Sequence, residues 1–454
     1  MAVRLQSICG HFVHSCSAEA KGISGWPEMV TPRDPTKPRP KLAIISTVWA
    51  YFTHPEHMGD CFLHGWPMSG AWHHPELDVV SVYADQQADQ NPHDQTSETD
   101  IQRKRAEEFD FTLYADIAEA LRCGGDRLAV DAVLIIGEHG AYPYNEYGQH
   151  LYPRYRFFKE VTRVFREDGR AVPVFNDKHL SWRFEWAAEM VQESRELNFP
   201  LMAGSSLPVA WRMPPIDMPL DAEVEAVMGL GYGGIDSYDF HSLETIQCMA
   251  ERRKGGETGV RWVEASKGRA VCDALDAGII DLFLLQGCLS RSQSINQAQG
   301  KGKGGFCKRF PTLAEIKDMV NAKGEPYMLR FEYTDGVQGT MLLLSGLVND
   351  FTFAAKLKDE PAPLSTLMHL DNWGGHGDHG DGPGSNVQYS SILMSGAERM
   401  FLSGVAHVPI ERTLLTGGLV EAGCQSLTLG KRMPTPHLSA ITYAAPPLSN
   451  FGMD

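Results

Sequence analysis

Short apolar runs separated by helical patterns dominate the first half of the chain. The runs cover residues 41–49 (KLAIISTVW), 77–85 (LDVVSVYAD), 130–140 (VDAVLIIGEHG), 171–178 (AVPVFNDK) and 199–206 (FPLMAGSS). Between them, Ile101–Arg122, Arg154–Glu167 and Trp182–Leu197 have the periodicity of helices. Apolar runs of this length fill central parallel strands. The alternation therefore predicts an α/β domain whose parallel sheet is covered by helices on both faces.

The pattern changes after about residue 225. Residues 258–265 (TGVRWVEA), 327–334 (YMLRFEYT) and 337–345 (VQGTMLLLS) alternate or run apolar with β-forming residues, and Asp335-Gly336 predicts a tight hairpin between the last two. These segments predict a mostly antiparallel sheet in a second domain. We expect an N-terminal arm and Pro-rich connector over 1–40, a parallel-sheet domain over 41–210 and an α+β domain over 211–454.

Charge and cysteine content narrow the class of protein. The net charge is −16, so we expect no nucleic acid partner and no anionic membrane surface, because phosphates would be repelled. No apolar run reaches the roughly 18 residues that a membrane span requires. Nine scattered cysteines without a CxxC pair favour reduced thiols and a cytoplasmic protein. His11 and His14 interrupt the apolar N-terminal stretch, which favours an arm over a signal peptide.

Polar residues gather where two of the predicted strands end. They are Glu138 and His139 after the third run, and Asn176, Asp177, Lys178 and His179 in and after the fourth. Ligands of open parallel sheets bind outside the carboxyl ends of the strands. A lysine there can donate to a substrate oxygen or have a pKa lowered by desolvation. The alternative is a solvent-facing loop lysine paired with Asp177.

The loop after the third strand, residues 137–149 (GEHGAYPYNEYGQ), is rich in Tyr, Asn and Gly. Aromatic rings and amides hold sugars by stacking and hydrogen bonding, so the loop suits a small polyhydroxylated substrate. An ordinary irregular turn explains the same composition.

Two stretches, residues 177–179 (DKH) and residues 233–244 (GGIDSYDFHSLE), resemble motifs of the Gfo/Idh/MocA oxidoreductases, and the resemblance is best over Val130–Ala265. The family's Glu-Lys-Pro motif corresponds to residues 177–179, where Lys178 is retained and both neighbours differ. The stretch 233–244 (GGIDSYDFHSLE) resembles the family's Gly-Gly segment and places His241 at the catalytic histidine, with Glu244 replacing a common aspartate. The resemblance implies a Rossmann-type domain followed by an α+β domain with an open, mostly antiparallel sheet.

The resemblance also implies a reaction, a cofactor and residue roles. We expect oxidation of a sugar, polyol or related hydroxy compound with NAD or NADP, Lys178 orienting the hydroxyl, His241 accepting its proton and Asp177 as a further catalytic group. Asp85 and Glu138 are the candidate cofactor residues. The candidate substrate contacts are His139, Tyr144, Asn145, Asn176, His179, Asp236 and Tyr238. A homo-oligomer formed through the outer face of the C-terminal sheet is implied as well.

The turn after the first strand departs from the family pattern. A dinucleotide-binding strand is followed by GxGxxG, whereas this turn contains Trp49, Tyr51 and Phe52. The alternative is therefore the same fold without a dinucleotide, acting as a lyase, isomerase or hydrolase through acid–base residues or a divalent metal. Its candidate metal ligands are His57, Asp60, Glu138, His241 and Glu244. Further N and O ligands could come from His54 in the same turn and from His139, Asp177 and His179 at the strand ends. Histidines that are simply polar loop residues would give the same pattern.

Two glycine-rich stretches invite other functions. Residues 300–305 (GKGKGG) lack the spacing, the Ser/Thr and the preceding strand of a P-loop, which excludes that mode of nucleotide binding. Residues 369–384 contain histidines and aspartates among glycines, a composition found in metal-binding tracts. So flexible a segment cannot preorganise a catalytic site by itself, and we interpret it as a surface loop.

Overall fold

The computed structural model describes residues 38–51, 53–86, 101–295, 310–323, 325–370 and 386–452. Residues 1–37 of the predicted arm and connector, Phe52, residues 300–305 and most of the glycine-rich stretch 369–384 lie outside the described residues. No helix within the described ranges has both the length and the apolar character needed to cross a membrane.

Strands and helices alternate through the first half of the chain. The strands are β1 (Lys41–Ser46), β2 (Trp66–Met68), β3 (Ala71–His73), β4 (Asp78–Ala84), β5 (Thr112–Tyr114), β6 (Ala132–Ile136), β7 (Val174–Asp177), β8 (Leu201–Gly204), β9 (Trp211–Met213), β10 (Val224–Gly231), β11 (Val260–Lys267), β12 (Tyr327–Tyr333), β13 (Gln338–Leu343), β14 (Phe351–Leu357), β15 (Leu364–His369) and β16 (Met433–Pro434). The helices are α1 (Asp60–His64), α2 (Ile101–Phe109), α3 (Ile117–Arg122), α4 (Arg154–Asp168), α5 (Phe184–Glu196), α6 (Tyr238–Ala250), α7 (Arg269–Asp276), α8 (Leu282–Arg291), α9 (Leu313–Lys323), α10 (Asn386–Ser403), α11 (Ile410–Leu429) and α12 (Pro436–Ser439). A π-helical turn, Pro55–Gly59, leads into α1.

The first sheet has the order β5-β4-β1-β6-β7-β8, and its neighbouring strands pair in parallel. The predicted parallel sheet is confirmed, with β4, β1, β6 and β7 side by side. Along β1, Ala43 and Ile45 belong to the apolar cluster that includes residues of α4, while Leu42 and Ile44 belong to the cluster on the opposite face that includes residues of α1 and α10. Both faces are covered, which explains why the central strands are continuous apolar runs.

The single helix predicted over Ile101–Arg122 is wrong. The segment contains α2, the edge strand β5 and α3. Asp110, in a left-handed conformation with φ 59°, separates α2 from β5. Strand β5 then pairs with Ser81–Tyr83 of β4. A short edge strand carries too few residues for its period to be distinguished from that of a helix.

The second sheet has the order β16-β11-β12-β13-β10-β14-β15-β9. Its pairs are antiparallel except for β10 with β13, so the predicted mostly antiparallel sheet is confirmed. The hairpin predicted at Asp335-Gly336 joins β12 to β13, and Gly336 takes a positive φ of 94°. There the amide of Tyr333 donates to the carbonyl of Val337 at 3.0 Å.

Helices of the chain cover both faces of the second sheet. On the face toward the first domain lie α6 and α11, and α11 also contacts α5 and β8 of the first domain. On the outer face, residues of α7, α8 and α9 pack against β10, β12, β13 and β14 in one apolar cluster. The homo-oligomer stays a prediction. The outer face of the second sheet, through which it was expected to form, is covered by α7, α8 and α9.

Candidate functional site

The carboxyl ends of β6 and β7 and the start of α6 meet in one buried polar cluster. Glu138 follows β6, Asp177 ends β7, Lys178 follows it directly, and His241 lies in the first turns of α6. Because β6 and β7 are neighbours in a parallel sheet, their polar ends lie at the same edge. Helix α6 packs on β10 and β13 of the second sheet, and its Glu244 accepts from Ser205, which follows β8 of the first sheet. The cluster therefore lies where the two domains meet.

Lys178 and His241 are in direct contact. The Lys178 Nζ lies 2.6 Å from the His241 Nε2. Their side chains are almost fully buried, with 4% and 3% of the residue surface exposed. The backbone of Lys178 is left-handed, with φ 63°, and its amide donates to the carbonyl of Gly204 at 3.1 Å. A strained non-glycine backbone that its surroundings hold in place is typical of functional sites.

The electrostatics of this contact define its protonation. Burial, reinforced by the charge of Lys178, lowers the pKa of His241 well below its usual value. His241 is therefore neutral at physiological pH, and its Nε2 lone pair accepts from the Lys178 ammonium group. The other ring nitrogen, Nδ1, is buried and has no hydrogen-bond partner among the described residues.

Glu138 balances two buried cations. Its Oε2 accepts from the guanidinium of Arg154, and its Oε1 lies 4.0 Å from the Lys178 Nζ. Burial by itself would raise the pKa of Glu138, but the charges of Lys178 and Arg154 outweigh it and hold that pKa below its usual range. Glu138, considered from the sequence as a cofactor residue or a metal ligand, is thus placed as the counter-charge of the lysine.

His54, a possible metal ligand by its place in the turn after the first strand, is also a member of the cluster. Its Nδ1 lies 2.6 Å from the Oδ2 of Asp177, and both side chains are buried. The His54 ring lies 5.0 Å from the His57 ring and 5.1 Å from the His139 ring, measured between centroids. His57 in turn reaches α10, with its Nδ1 3.3 Å from the Ser390 hydroxyl. The sequence placed His54 with His57 and Asp60 in the turn where glycines are expected, but it did not predict the contact with Asp177.

Asn176 and His179 stabilise the turn that carries Lys178. The Asn176 amide donates to the carbonyls of Asp177 at 3.0 Å and His179 at 3.3 Å. The His179 Nδ1 lies 2.9 Å from the carbonyl oxygen of Ser181, and burial lowers the pKa of His179 to about 3. His179 is therefore a neutral, buried residue of the turn.

Three further predicted substrate residues lie on two segments near the cluster. Tyr238 is close to the catalytic candidate, with its ring centroid 5.8 Å from that of His241. Asp236 accepts from the His150 amide at 2.6 Å, and burial raises the pKa of Asp236 well above its usual value. Tyr144 is 63% exposed and stacks on the His150 ring at 4.3 Å.

Asn145 closes the loop that follows β6. Its side-chain oxygen accepts from the amides of Tyr147 at 3.0 Å and Gln149 at 2.9 Å, and its amide donates to the Gln149 side chain at 3.1 Å. These bonds give the loop a fixed shape. The polar atoms of Asn145 are thereby engaged within the loop itself.

The turn after β1 is filled by its own side chains. Trp49 is fully buried and stacks on Phe111 at 6.0 Å. A Cβ on Gly59 would lie 2.7 Å from the Trp49 ring, so the indole occupies the space beside that glycine. The amide of Ala50 donates to the Thr53 hydroxyl at 3.2 Å. A pyrophosphate needs free amides and bare backbone at this turn. The residues present therefore do not fit a dinucleotide bound in the Rossmann manner.

Asp85 follows β4, at the position expected to bind a ribose. Both of its oxygens are engaged within the protein: Oδ1 accepts from Tyr83 and from Arg156, each at 2.6 Å, and Oδ2 accepts from Tyr142 at 2.7 Å. Burial would raise the pKa of Asp85, but the hydrogen bonds from Tyr83, Arg156 and Tyr142 hold it below its usual value. A ribose would have to compete with these bonds.

The candidate metal ligands are distributed over more than one place. Asp60 forms an ion pair with Arg105 at 2.8 Å. Glu244 accepts from the amide and the hydroxyl of Ser205, at 2.7 and 2.9 Å. Within the described ranges, no group of three His, Cys, Asp or Glu side chains is arranged to hold a metal ion. His57, Glu138 and His241 remain members or neighbours of the buried cluster.

The chain matches known proteins in its structure but not in its sequence. No family model matches the chain, and no curated protein matches its sequence. GenD2 from gentamicin A biosynthesis, solved in complex with NAD, has a TM-score of 0.51 and 12% identity, over 89% of this chain and 99% of that one. An oxidoreductase from Desulfitobacterium hafniense DCB-2, classed as NADPH-dependent, has a TM-score of 0.50 and 11% identity, over 89% of this chain and 100% of that one. At such identities the similarity establishes the fold, and the predicted resemblance to Gfo/Idh/MocA proteins is confirmed at that level.

Proposed function

We propose that the protein is an enzyme that moves a proton at a hydroxyl group of a small polyhydroxylated substrate, a sugar, polyol or related compound. The observation that carries the proposal is the buried contact of 2.6 Å between Lys178 and His241. Burying a lysine ammonium group against a histidine costs free energy, and such arrangements concentrate at active sites. The fold provides the setting, since ligands of such sheets bind at this edge.

The two side chains have complementary roles. The Lys178 ammonium group donates to the substrate oxygen and stabilises the negative charge that develops when the hydroxyl loses its proton. His241 is neutral, because burial and Lys178 lower its pKa, and its Nε2 accepts the proton. Glu138 places a negative charge 4.0 Å from the ammonium nitrogen within the buried site. Almost complete burial excludes water, which strengthens each of these interactions.

Oxidation of the hydroxyl is the first candidate reaction, supported by the fold shared with GenD2 and with the Desulfitobacterium oxidoreductase. NAD or NADP would be the corresponding cofactor. The turn after β1 and the engaged oxygens of Asp85 do not fit a dinucleotide in the usual position. We therefore derive no step through the dinucleotide. The oxidoreductase proposal rests on the fold and on the acid–base pair.

A lyase or isomerase that uses no dinucleotide is the second candidate. The specific observation in its favour is the turn itself, where Trp49 fills the space beside Gly59. Proton transfer alone can carry such reactions, with a base removing a proton and an acid returning one. The Lys178–His241 pair serves this chemistry as well as it serves oxidation.

Thermal unfolding of the full chain with added NAD, NADP or chelator distinguishes the candidates. A dehydrogenase should be stabilised by one dinucleotide, by about 2.7 kcal/mol at a hundred times its Kd, and Lys178→Met should retain that stabilisation. In the second candidate neither dinucleotide moves the midpoint, and turnover needs none. A response to chelator alone would favour a metal-dependent form.

The acid–base pair is tested by substitution and a matched control. Lys178→Met and His241→Asn should each abolish turnover of a sugar or polyol panel, whereas Lys254→Met should not. Lys254 is an exposed lysine that pairs with Glu223 at 2.7 Å, so it controls for the loss of a charged pair. Equal turnover in all three variants would refute the proposed function.

A further inference from the structure

Consecutive residues at the end of β7 hold two different histidines. Asp177 accepts from His54, at 2.6 Å, and Lys178 contacts His241, also at 2.6 Å. His54 comes from the turn after β1, and His241 comes from the first turns of α6. The two histidines thus reach the same strand end from separate elements. One lies beside a carboxylate and the other beside an ammonium group.

His54 and His241 belong to one electrostatic site. His54 is among the groups that lower the pKa of His241, after burial and Lys178, and among those that lower the pKa of Glu138, after Lys178 and Arg154. The residue that contacts His54, Asp177, directly precedes the residue that contacts His241, Lys178. His54 is therefore near the reacting pair as well as near Asp177.

A carboxylate at the Nδ1 of a histidine determines which ring nitrogen is protonated. The Asp177 oxygen accepts from Nδ1–H, which leaves the Nε2 of His54 with the lone pair. The same carboxylate stabilises the imidazolium ion once Nε2 has taken a proton, as in catalytic triads. The Oδ1 of Asp177 and the Nδ1 of His241 are both buried and have no hydrogen-bond partner in the described ranges. Such atoms are expected where a polar ligand completes the site.

We infer that His54, oriented by Asp177, is a second acid–base residue of the substrate site. The turn after β1 then contributes a side chain to substrate chemistry and does not cradle a pyrophosphate. This inference rests on the proposed function for its reaction. When one histidine removes a proton from the substrate, the other can return a proton to it. The pair therefore supports reactions in which the substrate is neither oxidised nor reduced. Asp177 is the positioning residue.

Nitrogen-15 NMR of the histidine rings in the full chain tests the orientation. The variants are His54→Gln, which assigns the signal, Asp177→Asn, and His64→Gln as the control. His64 is a neighbouring histidine outside the cluster, and its ring meets the Phe109 ring edge-on with centroids 4.8 Å apart. We expect the His54 ring to carry its proton on Nδ1 and to lose that preference in Asp177→Asn, with no change in His64→Gln. An unchanged tautomer in a folded Asp177→Asn protein, its thermal midpoint measured in parallel, would overturn the inference.

Ligand additions test whether His54 belongs to the site. The probes are xylitol, D-glucose and D-fructose, together with NAD and NADP. A sugar or polyol that shifts the rings of both His54 and His241 supports the inference. A probe that shifts His241 alone overturns the inference and leaves the proposed function standing. If no sugar or polyol shifts either ring, the proposed function fails and the inference fails with it. Dinucleotide binding that shifts the amides of Val48 and Ala50 would assign the turn to pyrophosphate and overturn the inference.

Discussion

Replacing Glu138 by glutamine measures how strongly the site depends on its counter-charge. Glu138 pairs with Arg154, which is fully buried, and lies 4.0 Å from the Lys178 Nζ. Removing one partner of a buried pair costs roughly 3–5 kcal/mol, because a charge is left uncompensated. Glutamine retains one oxygen that can still accept from Arg154. We therefore expect the free energy of unfolding to fall by about 3 kcal/mol, the lower end of that range.

Equilibrium urea unfolding at several pH values, followed by tryptophan fluorescence, is the assay. The pKa of Glu138 is lowered in the folded protein, so its contribution is complete above about pH 4.3, the pKa of an unfolded glutamate, and declines as the pH falls below that. The difference between wild type and Glu138→Gln should thus be equal at pH 6 and pH 8. Glu185→Gln, which breaks an exposed pair with Arg183 (49% and 69% of the two side chains exposed), should cost less than about 1 kcal/mol. A Glu138→Gln protein as stable as Glu185→Gln, or a difference that grows as the pH falls, would refute the reasoning.

Three further predictions concern the turn, a buried carboxylate and the catalytic pair. Gly59→Ala places a Cβ 2.7 Å from the Trp49 ring and should cost about 1–3 kcal/mol in urea unfolding, with Trp49→Phe in the same chain recovering part of the loss. Burial raises the pKa of Glu244 to about 7, so wild type should lose stability as the pH rises through that value. Glu244→Gln should then exceed wild type by roughly 1–3 kcal/mol at pH 8 and match it near pH 4, and equal stability at pH 8 would contradict this. Lys178→Met should raise the pKa of His241 toward its usual value in an NMR titration, and an unchanged pKa would exclude the charge of Lys178 as a cause.

The two sheets could be predicted from local hydrophobic patterns in the sequence. A strand covered on both faces needs a continuous apolar run, and β1, β6 and β7 are such runs. Once the strands are parallel neighbours, their carboxyl ends share an edge, so the polar residues after β6 and β7 must lie close together. The nearness of Lys178 to Glu138 could therefore be predicted. The resemblance implied that His241 acts on the same hydroxyl as Lys178, so the two were expected in one site, and their direct contact is a finding of the structure.

The tertiary structure alone determines which side chains from distant segments contact each other. His54 and Asp177 are 123 residues apart, and no period or spacing relates them. In the same way, α10 packs on the first sheet although it follows the second sheet in the chain, and it brings Ser390 to His57. Hydrophobic periodicity specifies which face of an element is buried, and it does not specify which distant side chain is buried against it. Local sequence thus determined the strands and their polar ends, while the folded packing of distant segments selected the charges and histidines that complete the site.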